Sequence, residues 1–300
     1  MSDWIGAIEG TAAGHQAALA LALMAALLHA LFGALQKGRH DPWLSRGAID
    51  LAYGVMATPV ALFVVPWPDA SLIAFFGLVW LIHVGYKLAQ AWTYTLGSYT
   101  VVYPVVRGTG PLFTVIGAGL VFGEHFTPGQ WLGVATLVVG IYGLALYNLA
   151  HWQLGRDKLK PALAMAVLTG GFVALYTTVD AWGIRATPDP FTFLAWFFMI
   201  DGFFFPILAA RRWLRMDTRP ALGPLALRGL IGAVVAFFSF GAIMLATRLD
   251  QVGQAAVLRE TSTVFAALIG WLVLGETAGP RRIMLMALIA LGAVIVQAAA

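Results

Sequence analysis

His83, Lys87, Gln90 and Tyr94 follow one another at steps of four, three and four. That spacing stacks an imidazole, an ammonium, an amide and a phenol on one face of an α-helix. Such a face could hold a polar ligand or pass a proton; the alternative is a lysine that snorkels to an interface beside a core histidine. Tyr99, Tyr103, Arg107, Gly110 and Thr114 repeat the pattern. Pro104 and Pro111 flank Arg107, and because neither has an N–H, the carbonyls of Thr100 and Arg107 lose their helical partners. Loose backbone groups beside a cavity can bind ligand, although proline kinks also serve packing.

Arg259 and Glu260 are neighbours, so on a helix they project about 100° apart and each requires another partner. Arg107 and Arg259 could grip a carboxylate or phosphate in bidentate fashion. Equally, they could pair with Glu260, Asp180 or Asp201 as structural bridges. Asp201 stands in the apolar run FFMIDGFFFP, where Pro206 deprives the Gly202 carbonyl of its partner. Asp180 shares a face with Tyr176 and Thr169 but lies towards a helix end. Asp180, Asp201, Glu260 and His83 are the candidates for carrying a proton, and no cluster of oxygen ligands suggests a sodium site. His29, with Gln36 two turns on, is a weaker candidate that reads more readily as a core residue.

The elements that must position these residues are membrane helices. The 300 residues are 60% hydrophobic and 11% charged, whereas soluble domains carry roughly 25% charged residues. A soluble enzyme is excluded. Long runs apolar on all sides, such as Ala17 to Leu35, exclude a transmembrane β-barrel, whose strands alternate. Ten spans are expected, near 16–36, 47–65, 71–94, 98–121, 129–149, 161–183, 191–210, 224–247, 252–274 and 281–298. The longest connections are short and basic, so any chemistry must occur within the bilayer. With no cysteine and six scattered histidines, neither a disulfide, a metal nor a cofactor is expected. The net charge of +4 reflects loop topology rather than nucleic-acid binding. The N-terminal MSDWIGAIEG lacks the basic start of a cleaved signal peptide, so the first span is expected to be retained.

Sliding the chain by 152 positions aligns 95–140 with 247–292 without a gap. Arg107 falls on Arg259, Thr109 on Thr261, Phe113 on Phe265, Gly123 and Glu124 on Gly275 and Glu276, Pro128 on Pro280 and Gly140 on Gly292. Two halves, 1–150 and 151–300, each with an odd number of spans, must run in opposite directions. That is an inverted repeat, which places a binding site at the midplane between the halves.

The segments GEHFTPGQWLGVATLVVGIYGLAL and LGETAGPRRIMLMALIALGAVIV resemble the Gly-Glu, short turn and Gly-rich helix that close each half of EamA-type transporters of the drug/metabolite transporter superfamily. YPVVRGTGPLF and LRETSTVFAALIG are similar to the fourth and ninth helices of one branch. The resemblance implies ten helices in two halves and a secondary transporter in the cytoplasmic membrane, working by alternating access through proton coupling or exchange. The family moves amino acids, nucleosides, sugars, polyamines and drugs, so it leaves the substrate open. From the residues themselves, Lys87, Tyr94, Tyr103, Arg107, Tyr176 and Arg259 are expected to bind a small anionic or zwitterionic solute. The protein is expected as a monomer or homodimer in the lipid bilayer.

A non-transporting membrane protein, whether an enzyme or an assembly subunit, is the alternative, although no HExxH, GxSxG or Walker A pattern supports it. A lipid-carrier flippase is a third reading. Glu124 and Glu276 sit at span ends, where a structural turn role is expected. The glycines Gly117, Gly119, Gly123, Gly133, Gly140 and Gly143 suit close helix packing. The fifth and tenth spans, read as holding no ionisable residue, are expected at the periphery, facing lipid.

Loops after odd-numbered spans, with the adjoining start of the eighth, hold thirteen basic residues; those after even-numbered spans hold Arg185 and Arg248 alone. The positive-inside rule then puts both termini outside, whereas ten-helix members of the family are usually drawn with both inside.

Overall fold

The computed structural model describes residues 3–36, 41–97, 99–149, 156–272 and 279–300. Among them all regular structure is helical. A short helix α1 (Asp3–Ile8), absent from the sequence reading, precedes α2 (Ala12–Gln36), α3 (Pro42–Phe63), α4 (Ala70–Leu96), α5 (Tyr99–Phe122), α6 (Pro128–Leu149) and α7 (Arg156–Ala186). An interrupted helix follows as α8 (Pro190–Asp201) and α9 (Phe204–Leu214), then α10 (Leu222–Leu249), a second interrupted helix as α11 (Val252–Arg259) and α12 (Ser262–Leu272), and α13 (Pro280–Ala298). Glu276, Lys37 and Arg39 lie outside the described residues, as do the side chains of Gln36, Tyr99, Arg156 and Lys158.

Eight helices, with α8 and α9 taken as one, are long and apolar enough to cross a membrane. Two others fall short for reasons visible in their residues. Helix α3 carries Arg46 and Asp50, and α11–α12 is interrupted around Arg259 and Glu260. Caps fix several starts: Asp41 accepts N–H bonds from Trp43 and Leu44 ahead of α3, and Asp189 accepts one from Phe191 ahead of α8. Asp69 caps α4, and the Ser71 hydroxyl and Leu72 N–H that bond its carboxylate hold it below the usual acid range.

The prolines behave unevenly. Pro206, read as freeing the Gly202 carbonyl within one span, stands just after a full interruption between Asp201 and Phe204. Pro104 and Pro111 do not; α5 runs unbroken through both. The second break instead falls at Glu260–Thr261, where no proline stands. There the backbone tightens into i+3 bonds, Glu260 N–H to Val257 and Thr261 N–H to Leu258. The hydroxyls of Thr261 and Thr263 donate to the carbonyls of Leu258 and Glu260. A Thr-Ser-Thr run thus supplies the partners that an opened helix needs.

Helix α2 packs on α10 and α7 on α4, while α5 lies against α7 and α11, and α3 against α8, α9 and α10. Helices α6 and α13 pack against each other. A Cβ at Gly292 would sit 2.5 Å from the Leu137 nitrogen and 2.6 Å from the Gly133 carbonyl oxygen, so this crossing requires glycine. Their outer faces expose Leu132, Val139, Leu146, Leu291 and Val294, as peripheral helices should. Gly202 plays the same part inside: its Cβ would meet the Gly54 Cα at 2.4 Å. The α8–α9 break is therefore pressed directly onto the α3 backbone.

Glu124 does more than end a turn. After Gly123, whose φ of 68° closes α5, its carboxylate accepts N–H bonds from Val252 at 2.7 Å and Gly253 at 3.0 Å. A glutamate of one half of the chain thus caps α11 in the other, where its charge also meets the positive end of the helix dipole. Arg185 and Arg248 exchange similar service. Arg185, ending α7, donates to the carbonyls of Thr247 and Asp250; Arg248, ending α10, donates to those of Ile184 and Thr187.

Candidate functional site

Arg46, Asp50 and Tyr53 share a face of α3 by their spacing of four and three. Arg46 Nε lies 2.7 Å from Asp50 Oδ1. From α4, Lys87 Nζ reaches Asp50 Oδ2 at 2.6 Å and Asp201 Oδ2 at 2.8 Å, and donates to the Asp201 carbonyl at 3.2 Å. The Tyr53 hydroxyl donates to Asp201 and accepts from Lys87. The break after Asp201 frees its carbonyl for Lys87. Two cations and two carboxylates from α3, α4 and α8 make a neutral network, and neutrality is what permits its burial. A lone charge in a membrane helix costs roughly 2.5–3.5 kcal/mol on insertion scales.

One turn along α4, His83 Nε2 lies 2.8 Å from Asp180 Oδ2 on α7. The imidazole packs against the rings of Tyr176 and Phe197, both at 4.8 Å. On the far side, Arg107 Nε of α5 lies 2.7 Å from Glu260 Oε2 at the α11–α12 break. Arg107 also donates to the Ser262 hydroxyl at 2.8 Å, and the Tyr103 ring lies 5.8 Å from its guanidinium carbon.

Arg259 is different. It is only 5% exposed, yet it makes no hydrogen bond or ion pair among the described residues, and its Nε is a buried donor without an acceptor. It faces a cavity of about 110 Å³ whose polar lining includes His29, Arg46, Tyr53, His83 and Asp201. Most of the remaining wall is aromatic, with Tyr86, Tyr176, Phe197 and Phe240 among it. Both helix breaks fall near the middle of their helices, beside this cavity. A larger groove of about 540 Å³ opens at the basic end of α9, around Arg211, Arg212 and Arg215. It lies away from these groups, and Arg212 there is already paired with Asp41.

Five of the residues singled out in the sequence therefore reach the cavity: His83, Tyr176, Asp201, Arg259 and His29, the last of which reads as a core residue in the sequence. Lys87, Asp180, Arg107, Tyr103, Glu260 and Tyr94 do not line it. The two arginines separate, since Arg107 is a structural bridge to Glu260 while Arg259 forms none of the bridges open to it. Asp180, read as near a helix end, is fully buried behind His83. Gln90 is taken by the Tyr86 hydroxyl. The sequence reading missed Asp50 and Tyr53 and placed Arg46 in a loop. An i, i+4 Arg–Asp pair followed three residues later by tyrosine was the available signal.

These helices and their buried charges define a multi-pass membrane protein. The EamA-like transporter family model matches residues 160–297. Over those residues the chain is similar to the EamA family, which is part of the drug/metabolite transporter superfamily. A solved crystal structure is similar in fold, with a TM-score of 0.73 over 94% of this chain and 99% of that one at 18% identity. No curated protein matches the sequence.

Proposed function

We propose that the protein is a secondary transporter that moves a small organic solute by alternating access, rocking one five-helix half against the other. The observation that carries this reading is the polar cavity between two mid-membrane helix breaks, lined by charges that a purely structural membrane protein would have no reason to retain. Ten spans are counted by adding α3 and the interrupted α11–α12 to the eight apolar helices. The inverted repeat is supported by packing as well as sequence. Helices α4 and α10, like α6 and α13, start 152 positions apart, and the pairings α2 on α10 and α7 on α4 exchange under that shift.

Orientation with both termini outside the cytoplasmic membrane is supported by loop charge. Arg46 and Arg228 leave the count because they lie inside α3 and α10, but both basic residues on the opposite side, Arg185 and Arg248, are consumed in capping helix ends. The test is counterflow in proteoliposomes against a panel of labelled amino acids, organic acids and polyols. Protein-dependent, saturable exchange of at least one solute is expected. Absence of exchange across the panel would favour a non-transporting membrane protein.

A further inference from the structure

We propose that the cavity recognises the oxyanion head of a small organic anion, and that Arg259 alone, not the pair Arg107 and Arg259, is its receptor. The inference rests on the transport reading for its purpose and on the charge arrangement for its content. Arg46 pairs with Asp50, Lys87 with Asp50 and Asp201, and Arg107 with Glu260. Asp180 is held by His83 and does not face the cavity. Arg259 is left as a nine-tenths-buried guanidinium with no acceptor among the described residues.

The repeat explains why. Arg107 and Arg259 are mates at the 152-residue offset, but the position matching Glu260 is Gly108, whose Cα faces the Tyr142 ring. One half supplies an acid for the other half's arginine and receives none in return. An unpaired buried cation is costly, and it is retained where something else completes it. A guanidinium presents a planar fork suited to a carboxylate or phosphate.

A cationic head has no equivalent receptor. Asp201, the carboxylate that lines the cavity, already holds Lys87 and Tyr53. The aromatic rings beside Arg259 suit an apolar body behind the anionic head. The ligand class is therefore an organic anion with a compact apolar remainder, in place of the wider anionic-or-zwitterionic expectation.

Three near-isosteric probes of different charge, benzoate, benzamide and benzamidinium, test this by equilibrium binding to the purified full-length protein in micelles. Benzoate is expected to bind at least about tenfold more tightly than either other probe. R259Q should abolish that preference, while R259K, which keeps the charge without the fork, should retain part of it. Should R259Q fail to fold, R259K still decides through its preference for benzoate over benzamide. Equal binding of benzoate and benzamide by the wild-type protein, unchanged benzoate affinity in R259Q, loss of preference in a folded R259K, or no benzoate binding at all would overturn the proposal. Because the readout is binding, a protein that prefers benzoate through Arg259 yet exchanges no solute would refute the transport reading and leave this one standing.

Discussion

Arg107 Nε lies 2.7 Å from Glu260 Oε2, joining α5 to the break between α11 and α12 while the neighbouring Arg259 goes unpaired. One ion pair thus holds α5 to the α11–α12 break, and of the two arginines that line the cavity, Arg46 is paired with Asp50 while Arg259 has no ion-pair partner among the described residues.

Removing one member of a buried pair strands the other charge. E260Q should destabilise the protein by about 3–5 kcal/mol, whereas replacing both Arg107 and Glu260 by methionine should recover most of that loss. A double-mutant cycle by reversible unfolding in mixed micelles measures it. Additive single effects would show that the pair contributes nothing as a pair.

Gly202 allows the α8–α9 break to touch α3. G202A, whose Cβ would meet the Gly54 Cα at 2.4 Å, must push the helices apart, at a cost of about 1–3 kcal/mol. It should also disturb the contact of Lys87 with Asp201. Gly171 has no atom within 4 Å of its Cβ position, so G171A should be neutral or slightly stabilising on the same helical scaffold. Thermal unfolding of the two variants side by side gives the comparison, and equal melting temperatures would contradict the close-contact argument.

The proposed orientation rests on the distribution of basic residues between the two sets of loops. C-terminal fusions to a reporter fluorescent only in the cytoplasm and to one active only outside it should give signal from the second alone. A strong cytoplasmic signal from the intact chain would reverse the assignment.

The helices were legible in the sequence because apolar length and punctuation are local properties. At α8–α9 the freed Gly202 carbonyl was legible, since Pro206 removes a donor wherever it stands, but the full interruption was not, and 191–210 read as one span. Nor was the α11–α12 break: it depends on hydroxyls of Thr261 and Thr263 turning back to the backbone, one of several roles such side chains can take. Pro104 and Pro111, conversely, were accommodated within a continuous α5. Lys87, Asp201 and Arg107 could be recognised as buried charges, but their partners lie on other helices. Arg46 read as a loop residue until Asp50, one turn on, placed it in α3. Glu124 could be recognised as a marker residue, while its task of capping α11 lies 128 positions away. Whether an arginine is paired or free is a property of packing, and the sequence left those two readings equal.

The central claim, that the cavity opens alternately to the two sides, can be tested without knowing the substrate. The chain has no cysteine, so S239C introduces one thiol into the cavity lining, where Ser239 is 7% exposed and bonded to the Ala25 carbonyl. The measurement is the rate at which a membrane-impermeant thiol reagent modifies S239C from each face of uniformly oriented proteoliposomes. The account predicts modification from both faces, with benzoate shifting the ratio of the two rates. Modification from one face alone, or from neither, would contradict it.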